Sequence, residues 1–314
     1  MTPPLVLMDS ASLYFRSYFA LPESITAPDG TPVNAARGFL DTVARIITER
    51  GPSRLVACLD ADWRPAFRVE LLPSYKAHRL ADEAKNIEEI PDTLTPQVPI
   101  ILDLLAAAGI ATAEADGYEA DDVIGTLTAL ETDDPVEVIT GDRDLFQVVR
   151  DEPSPARVVY VGKGWAKAEV LGPAELAARY GLPATDPGPG YADMATLRGD
   201  PSDGLPGVAG IGEKTAAKLI TEYGSLHGLL TAAGDGRLSG TVTAKLVAAA
   251  DYLAVAPTVV RVATDADVVM STTDDDVPRE PRHQADLDEL AHQWGLESSV
   301  KRLTEAMATN PAYR

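Results

Sequence analysis

Nine carboxylate residues are the strongest candidates for chemistry in this sequence, and seven of them stand in three closely spaced groups. Nine anions gathered in one pocket would repel one another and raise their own pKa values unless cations lay between them. Ligands that are all oxygen, with no His or Cys among them, suit Mg²⁺ or Mn²⁺ rather than zinc. The nine residues are Asp9, Asp60, Glu119, Asp121, Asp122, Asp142, Asp144, Asp200 and Asp203.

Two hard cations about 4 Å apart are the usual arrangement for in-line attack of water on a phosphodiester. The carboxylate set therefore favours a metal-dependent phosphodiesterase. Each motif alone also fits a local role: an acidic first helical turn at 119–122, and turns at 142–144 and 200–203. A dehalogenase-type phosphohydrolase with Asp9 as its nucleophile is excluded, because that chemistry needs a second Asp two positions later and residue 11 is Ala.

A glycine-rich motif, GVAGIGEKT, begins at Gly207. It is not a P-loop, because Glu213 separates the last glycine from Lys214. It fits a helix-hairpin-helix turn, in which exposed N–H groups at a helix N-terminus hold a DNA phosphate without reading sequence. A plain connector is the alternative. The predicted phosphate contacts are Gly207, Gly210, Gly212, Lys214, Thr215 and Lys218.

A basic and aromatic run, DWRPAFRVELLPSYKAHR, begins just after Asp60. Cations beside a metal site can clamp the scissile phosphate, and a tyrosine can stack on a base. An ordinary amphipathic helix with solvated charges is the alternative. The residues concerned are Arg64, Arg68, Tyr75, Lys76, His78 and Arg79.

The elements that must position these side chains form an α/β pattern. Residues 5–8 and 55–59 are short apolar runs typical of strands buried on both faces, and each is followed directly by an aspartate. Residues 136–140 match this pattern more loosely, since Glu137 interrupts the run and Gly141 precedes Asp142. Residues 37–50, 99–108 and 120–130 show helical spacing of apolar residues. Such alternation predicts a mostly parallel sheet, whose ligands lie beyond the carboxyl ends of its strands.

The second half of the chain has a different texture. The stretch PATDPGPG at 183–190 indicates a linker or rigid loop, and short helices punctuated by glycine follow over 191–230. Residues 258–270 are predicted to be extended. Residues 286–307 form an amphipathic helical pattern interrupted at Gly295.

Composition sets the outer limits. The 314 residues are 45% hydrophobic and 24% charged, which excludes a disordered, collagenous or disulfide-built protein. A single cysteine, Cys58, fits either a reducing compartment or indifference to redox conditions. No signal peptide or membrane span is evident, so we expect a cytoplasmic protein. The net charge of −21 argues against nucleic acid as a partner unless metals neutralise part of the acid excess.

Six ordered motifs together resemble the 5′-nuclease family of bacterial 5′–3′ exonucleases and flap endonucleases, which includes the N-terminal domain of bacterial DNA polymerase I. The resemblance runs from Leu5 to about Leu230 and more loosely beyond. Two features depart from it. Gly204 follows the second Asp of GDPSD, where family members commonly carry Asn, and the stretch Leu80–Thr95 is longer and more acidic than usual, with Asp82, Glu83, Glu88, Glu89 and Asp92. The motifs are LMDSASLYFR, CLDADWRPAFR, SYKAHR, YEADDVIGTL, TGDRDLFQ and GDPSDGLPGVAGIGEKTA.

The resemblance implies a PIN-like catalytic domain over 1–171, with a helical arch at about 64–97, and a helix-three-turn-helix DNA-binding region with C-terminal helices over 172–314. It implies two metal groups: Asp9, Asp60, Glu119, Asp121 and Asp122 in the first, and Asp142, Asp144, Asp200 and Asp203 in the second. Lys76 and Arg79 correspond to catalytic cations on the scissile phosphate. From the basic and aromatic run itself we expect Arg68 and Tyr75 to contact DNA. The hairpin corresponds to a K⁺-assisted phosphate site built from the backbone of Val208 and Ile211.

The resulting expectation is a structure-specific 5′ nuclease, both 5′–3′ exonuclease and flap endonuclease, that uses Mg²⁺ or Mn²⁺ in a two-metal mechanism. Its implied substrates are 5′ flaps, nicked or gapped duplexes and RNA-primed strands, in primer removal and DNA repair. We expect a monomer linked in function to a DNA polymerase and a ligase. The alternative is a non-catalytic branched-DNA-binding factor that retains the fold, although such a factor would not need the full carboxylate set.

Overall fold

A computed structural model describes residues 2–82 and 87–313 of the chain. The strands are β1 (Leu5–Asp9), β2 (Arg54–Cys58), β3 (Leu80–Asp82), β4 (Ile87–Glu88), β5 (Ala111–Glu114), β6 (Val136–Thr140), β7 (Ala156–Tyr160), β8 (Glu169–Leu171) and β9 (Val269–Met270). The helices of the first half are α1 (Ser10–Ala20), α2 (Asn34–Arg50), α3 (Ala66–Leu71), α4 (Gln97–Ala108), α5 (Ala120–Leu130) and α6 (Pro173–Tyr180). Those of the second half are α7 (Pro187–Arg198), α8 (Glu213–Tyr223), α9 (Leu226–Gly234), α10 (Gly240–Ala248), α11 (Ala250–Val260), α12 (Gln284–Trp294) and α13 (Glu297–Ala308).

The main sheet has the strand order β8-β7-β6-β1-β2-β5-β9. The five central strands are parallel, and β8 and β9 close the two edges in antiparallel pairing. Strand β1 therefore lies between β2 and β6, and the carboxyl ends of all three meet at one edge. This is the arrangement that the three apolar runs predict, and it delivers three aspartates to that edge.

Alternate residues of the central strands face two separate cores. Leu5 and Leu7 of β1 pack into one core with α5, α7 and α8, whereas Val6 and Met8 pack into the other with α2 and α4. Burial on both faces explains why these strands are continuous apolar runs instead of alternating ones. The predicted fold class, α/β with a mostly parallel sheet covered on both faces, is confirmed.

The C-terminal helices cover the second of these cores. Helix α13 packs against α2, and α12 packs against α4. Gly295 ends α12 in the left-handed conformation, at φ 63°, so the break expected in the 286–307 pattern is confirmed. The Asn310 side chain donates to the Pro52 carbonyl oxygen at 2.8 Å, which ties the end of the chain to the start of β2.

Two local predictions are wrong. Residues 187–190 of the expected linker form the first turn of α7, because Pro187 occupies an early helical position where its missing N–H costs nothing. Residues 258–260 of the segment expected to be extended belong to α11, and only Val269–Met270 pair as a strand. The apolar β-branched residues at the end of α11 misled the prediction, since packing overrides β-propensity there.

The expected helical arch is only partly helical in the described residues. Helix α3 has six residues and ends just before Pro73, which disfavours a helical residue ahead of it. A 3-10 turn at Ala77–Arg79 and the antiparallel pair β3–β4 follow. The acidic residue Glu83 of this stretch lies outside the described residues.

No single helix of the described chain is long and apolar enough to cross a membrane. Helices α10 and α11 reach that length and apolarity only as a pair, with a bend of 71° between them.

Candidate metal centre and nucleic-acid interface

A cavity of about 300 Å³ opens at the edge of the sheet where β1, β2 and β6 end. Asp9 closes β1, Asp60 follows β2 by two residues, and Asp142 follows β6 by two. The N-terminus of α5 brings two further carboxylates to the same wall. The acidic lining residues are Asp9, Asp60, Glu88, Glu119, Asp121 and Asp142, and the basic ones are Arg16, Lys76 and Arg79.

Asp9 lies at the floor of the cavity and is only 4% exposed. Its carboxylate accepts hydrogen bonds from the Thr140 hydroxyl at 2.6 Å and the Ser12 backbone N–H at 3.1 Å. Burial, together with the nearby charges of Asp142 and Asp60, outweighs these hydrogen bonds and raises the pKa of Asp9 to about 7. Asp9 is thus an anion that its surroundings do not fully stabilise.

Two further carboxylates with raised pKa values, Asp60 and Asp121, lie near the start of α5. The Asp60 carboxylate accepts a hydrogen bond from the Ala120 backbone N–H at 2.7 Å, yet burial still raises the pKa of Asp60. Burial, followed by the charges of Asp9 and Asp142, holds the pKa of Asp121 well above its ordinary value. These neighbours all disfavour ionisation, so a cation between them would be bound strongly.

Lys76 reaches into the cavity and pairs with Glu119. The backbone of Lys76 has φ 49°, in the left-handed region that residues other than glycine rarely adopt. Burial lowers the pKa of the Lys76 ammonium, but Glu119 and its other neighbours outweigh burial and hold it well above its ordinary value. The chain therefore holds a positive charge among the carboxylates.

Asp122 is the clearest correction to the predicted metal set. Its side chain is fully buried and forms a bidentate ion pair with Arg68, at 2.6 and 2.7 Å, outside the lining of the cavity. It also accepts from the Glu119 backbone N–H at 3.2 Å. Both carboxylate oxygens are thus occupied by protein donors.

The predictions that Arg68 and Tyr75 contact DNA are wrong, because both side chains are buried. Arg68 is 3% exposed and Tyr75 is 4% exposed, so neither can touch a nucleotide in this arrangement. The Tyr75 hydroxyl instead donates to Glu119 at 2.6 Å, and Arg68 donates to Glu119 at 2.9 Å. Both residues hold a cavity carboxylate from behind.

Asp144, Asp200 and Asp203 form a second acidic group next to the cavity. Burial, followed by the charges of Asp142 and Asp203, raises the pKa of Asp144 well above its ordinary value. Asp203 pairs with Arg79 at 2.7 Å. Asp142 lies between the two groups, since it lines the cavity and also raises the pKa of both Asp9 and Asp144. The expected assignment of Asp142 to the second group alone is therefore too narrow.

Across residues 2–82 and 87–313, no group of three or more Asp, Glu, His or Cys side chains converges on one ion position. Three of the predicted ligands are paired with cations of the protein, Glu119 with Lys76, Asp203 with Arg79 and Asp122 with Arg68. The donor set nevertheless fits hard divalent ions, since every carboxylate lining the cavity offers oxygen and several are held at raised pKa values.

Two residues of the site, Arg16 and Ser12, were missed by the sequence analysis. Arg16 donates to the carbonyl oxygens of Gly141 at 3.1 Å and Gly162 at 3.0 Å, which fixes the loops that follow β6 and β7. The Ser12 hydroxyl accepts from the Gly141 backbone N–H at 3.0 Å. Residues 12 and 16 lie one turn apart on α1, the helix that begins immediately after Asp9. That helical spacing was the available signal.

The departure at Gly204 has a structural reason. Gly204 has φ 72°, and a Cβ at this position would lie 2.0 Å from the Ser74 carbonyl oxygen. The Ser74 hydroxyl donates to the Gly204 carbonyl oxygen at 2.8 Å, and the Lys76 backbone N–H donates to the Asp203 carbonyl oxygen at 3.0 Å. The loop of the second acidic group is therefore packed directly on the segment that carries Lys76.

The glycine hairpin connects α7 to α8. A Cβ at Gly207 would lie 2.4 Å from the Arg198 carbonyl oxygen, so this turn needs glycine for close approach of two backbone segments. The Val208 carbonyl oxygen accepts from the Ile211 backbone N–H at 2.9 Å, and that of Gly210 accepts from the Lys245 ammonium at 2.8 Å. The other residues of the predicted phosphate contact are exposed to solvent: Gly212, Lys214, Thr215 and Lys218.

Comparisons with known proteins agree with this architecture. Residues 4–181 match the model of a 5′-3′ exonuclease N-terminal resolvase-like domain, and residues 187–284 match that of a 5′-3′ exonuclease C-terminal SAM fold. A 5′-3′ exonuclease of Mycobacterium tuberculosis is 56% identical over 99% of this chain and 100% of its own length. A DNA polymerase I of Mycobacterium bovis is 39% identical over 73% of this chain but only 24% of its own length.

Among solved structures, the fold is similar to a bacteriophage T5 flap endonuclease in a pseudo-enzyme-product complex with DNA and metal ions. The TM-score is 0.63 at 17% identity, and the match covers 98% of this chain and 100% of the other. At that identity the likeness shows a shared fold.

Proposed function

The chain belongs to the 5′-3′ exonuclease family, and on that premise we propose that it is a structure-specific nuclease that cleaves DNA at junctions between single strand and duplex. The observation that carries the proposal is the cavity at the sheet edge, where five of the predicted metal ligands and two predicted phosphate-binding cations share one wall. Such a cavity supplies both halves of phosphodiester hydrolysis, anchored charge for metals and cations for the phosphate.

Asp9, Asp60, Glu119, Asp121 and Asp142 would hold divalent ions in the cavity, with Asp144, Asp200 and Asp203 contributing from the second acidic group, some of them through water. We infer Mg²⁺ or Mn²⁺ in two or more positions. When bound, such ions supply charge neutralisation and an activated water. The acid excess of the chain is then partly offset at the place where DNA must approach.

Lys76 and Arg79 border the same cavity and would bind the scissile phosphate. Both are now paired with carboxylates, Lys76 with Glu119 and Arg79 with Asp203. An incoming phosphate would compete for these cations, and each exchange would free a carboxylate for a metal. Binding of the phosphate and of the ions would therefore reinforce each other.

The hairpin from Gly207 to Gly212, with Lys214, Thr215 and Lys218, would bind the phosphate backbone of the duplex without reading its sequence. The proposed K⁺ would lie at the carbonyl groups of Val208 and Ile211. The substrates we propose are 5′ flaps, nicked or gapped duplexes and RNA-primed strands, with the protein acting as a cytoplasmic monomer alongside a DNA polymerase and a ligase.

The experiment is cleavage of a 5′-labelled flap duplex beside matched single-stranded and blunt duplex DNA, in Mg²⁺ and in Mn²⁺. The Asp121→Asn variant is the negative control. We expect release of the flap near the junction, dependent on metal and lost in the variant. Tight flap binding without cleavage in either metal would instead support a non-catalytic DNA-binding factor.

A further inference from the structure

The segment Val259–Ala263, which no sequence motif singled out, contacts elements that lie behind the carboxylates of the cavity and behind the second acidic group. We call this segment the strap. It comprises the last two residues of α11 and the three that follow, and it lies more than fifty residues beyond Asp203 in the chain. Its backbone N–H and carbonyl groups form hydrogen bonds with side chains of α3, α5 and the 3-10 turn Asp144–Val148.

The first acidic group, the carboxylates that line the cavity, is connected to the strap through Arg68 and Asp122. The Arg68 guanidinium donates to the Val259 carbonyl oxygen at 3.0 Å, and Asp122 accepts from the Ala263 backbone N–H at 2.8 Å. The fit is close, because a Cβ at Gly125 on α5 would lie 2.5 Å from the Ala263 carbonyl oxygen. Since Arg68 also holds Glu119, this cavity carboxylate is connected to the strap through one buried side chain.

The second acidic group reaches the strap through Gln147. The Gln147 amide nitrogen donates to the Asp144 carbonyl oxygen at 2.8 Å and to the Val260 carbonyl oxygen at 3.2 Å. The amide oxygen accepts from the Val262 backbone N–H at 3.0 Å. Gln147 itself belongs to the 3-10 turn Asp144–Val148. Its carboxamide thus connects the start of that turn to Val260 and Val262 of the strap.

The strap is itself anchored to the helical region. Arg261 pairs with Asp193 of α7 at 2.6 Å, and Asp193 also accepts from the Leu226 backbone N–H of α9 at 2.8 Å. The Tyr252 hydroxyl of α11 donates to the Thr196 carbonyl oxygen of α7 at 2.9 Å. The strap therefore has a fixed position against which other elements can be held.

We propose that the strap is a shared positioning element for the two acidic groups, and that Gln147 is the positioning residue that holds Asp144 in place. This inference rests on the proposed nuclease function. Without the Gln147 carboxamide, the turn that begins at Asp144 loses its hydrogen bonds to the strap, while the cavity cations and the glycine hairpin are untouched. The defect should therefore appear in turnover and metal dependence, and DNA binding should be preserved.

The test compares Gln147→Met, which keeps the length of the side chain but removes all three hydrogen bonds, with Gln147→Glu, which keeps only an acceptor. Gln293→Met on the exposed face of α12 is the matched control. We expect kcat on a flap substrate to fall about tenfold or more in both Gln147 variants, because small displacements of reacting groups carry large rate costs. The Mg²⁺ concentration for half-maximal cleavage should rise, while flap affinity measured in Ca²⁺ stays within about twofold.

A Gln147→Met protein that melts at a lower temperature but cleaves with unchanged kcat and unchanged Mg²⁺ dependence would overturn the inference. Equal losses of turnover and of flap affinity would overturn it too, because they would assign Gln147 to DNA binding. Failure of the unmodified protein to cleave in any metal would count against the proposed nuclease function, a result distinct from either of these.

Discussion

The Lys76 ammonium is held between the Glu119 carboxylate and the Trp63 carbonyl oxygen, the latter at 3.3 Å, inside the cavity that we propose for divalent ions. The pair is largely shielded from water, with the Lys76 side chain 14% exposed and that of Glu119 7% exposed. A resident positive charge stabilises a carboxylate cluster in much the same way as a metal ion. A divalent ion bound at the proposed site would therefore compete with Lys76 for Glu119.

Replacing Lys76 by Met should separate two properties that ordinarily fall together. Cleavage should drop by about a hundredfold or more, because a charged donor to the scissile phosphate is lost. Affinity for Mn²⁺ without DNA should rise, because the competing ammonium is gone. Titration calorimetry and flap cleavage measure the two effects, and Lys301→Met on exposed α13 is the control. Weaker Mn²⁺ binding in the Lys76 variant would contradict the competition.

The adjacent residues Asp121 and Asp122 should give opposite results when each is changed to Asn. Asp122→Asn removes the bidentate carboxylate partner of the buried Arg68, whose charge is then compensated only by Glu119, and this should cost up to about 3–5 kcal/mol in free energy of unfolding. Asp121→Asn should abolish cleavage with the melting temperature unchanged or raised, since burial, Asp9 and Asp142 disfavour its charge. Thermal melting and cleavage assays on both variants test this. Equal melting temperatures would place Asp122 in the metal group after all.

Stability without metal should depend on pH in a defined direction. The pKa of Asp9 rises from 3.8 to about 7 on folding, so the folded state binds a proton more tightly than the unfolded state. Its contribution is fully present below pH 3.8 and is lost as the pH rises through about 7. In EDTA the melting temperature should therefore be higher near about pH 5 than near about pH 8.

Two additions sharpen that measurement. Millimolar Mg²⁺ should reduce the pH dependence, because bound ions stabilise the ionised carboxylates. Asp9→Asn should flatten the EDTA curve. A melting temperature in EDTA that rises from about pH 5 to about pH 8 would show that folding does not raise the pKa values of these carboxylates.

Gly204 and Gly236 form a matched pair for testing the contact behind the second acidic group. Both have positive φ, 72° and 71°, but a Cβ at Gly236 meets nothing within 4 Å, whereas at Gly204 it meets the Ser74 carbonyl oxygen at 2.0 Å. Each Ala substitution bears about 1 kcal/mol of backbone strain. Gly204→Ala should lose about 1–3 kcal/mol more from forced displacement, and cleavage with it. Equal melting curves for the two variants would mean that the loop yields freely.

Sequence spacing could predict the sheet edge and its cavity because both depend on local patterns. An apolar run that ends in Asp places that residue at a strand's carboxyl end whatever the rest of the chain does, as with Asp9 and Asp60. The helical break at Gly295 is equally local, since a glycine in the left-handed conformation ends a helix.

The role of Asp122 could not be predicted from local patterns. Asp121 and Asp122 are adjacent acids on one helix turn, and only the distant partners Arg68 and Ala263 decide which of them faces away from the cavity. Gln147 was missed because a lone glutamine carries no spacing signal. Tyr75 was misread because a tyrosine in a basic run has the same letters whether its ring faces a base or its hydroxyl faces a buried carboxylate.

The position of the strap late in the chain has a consequence for biosynthesis. Every proposed metal ligand has been translated by Asp203, but the residues that hold Asp122, Arg68 and Gln147 from behind emerge only with Val259–Ala263. A nascent chain that stops short of the strap has all the carboxylates without their support. The protein should therefore gain nuclease activity only after Val259–Ala263 have been synthesised, and a shorter nascent chain should not cleave nearby DNA.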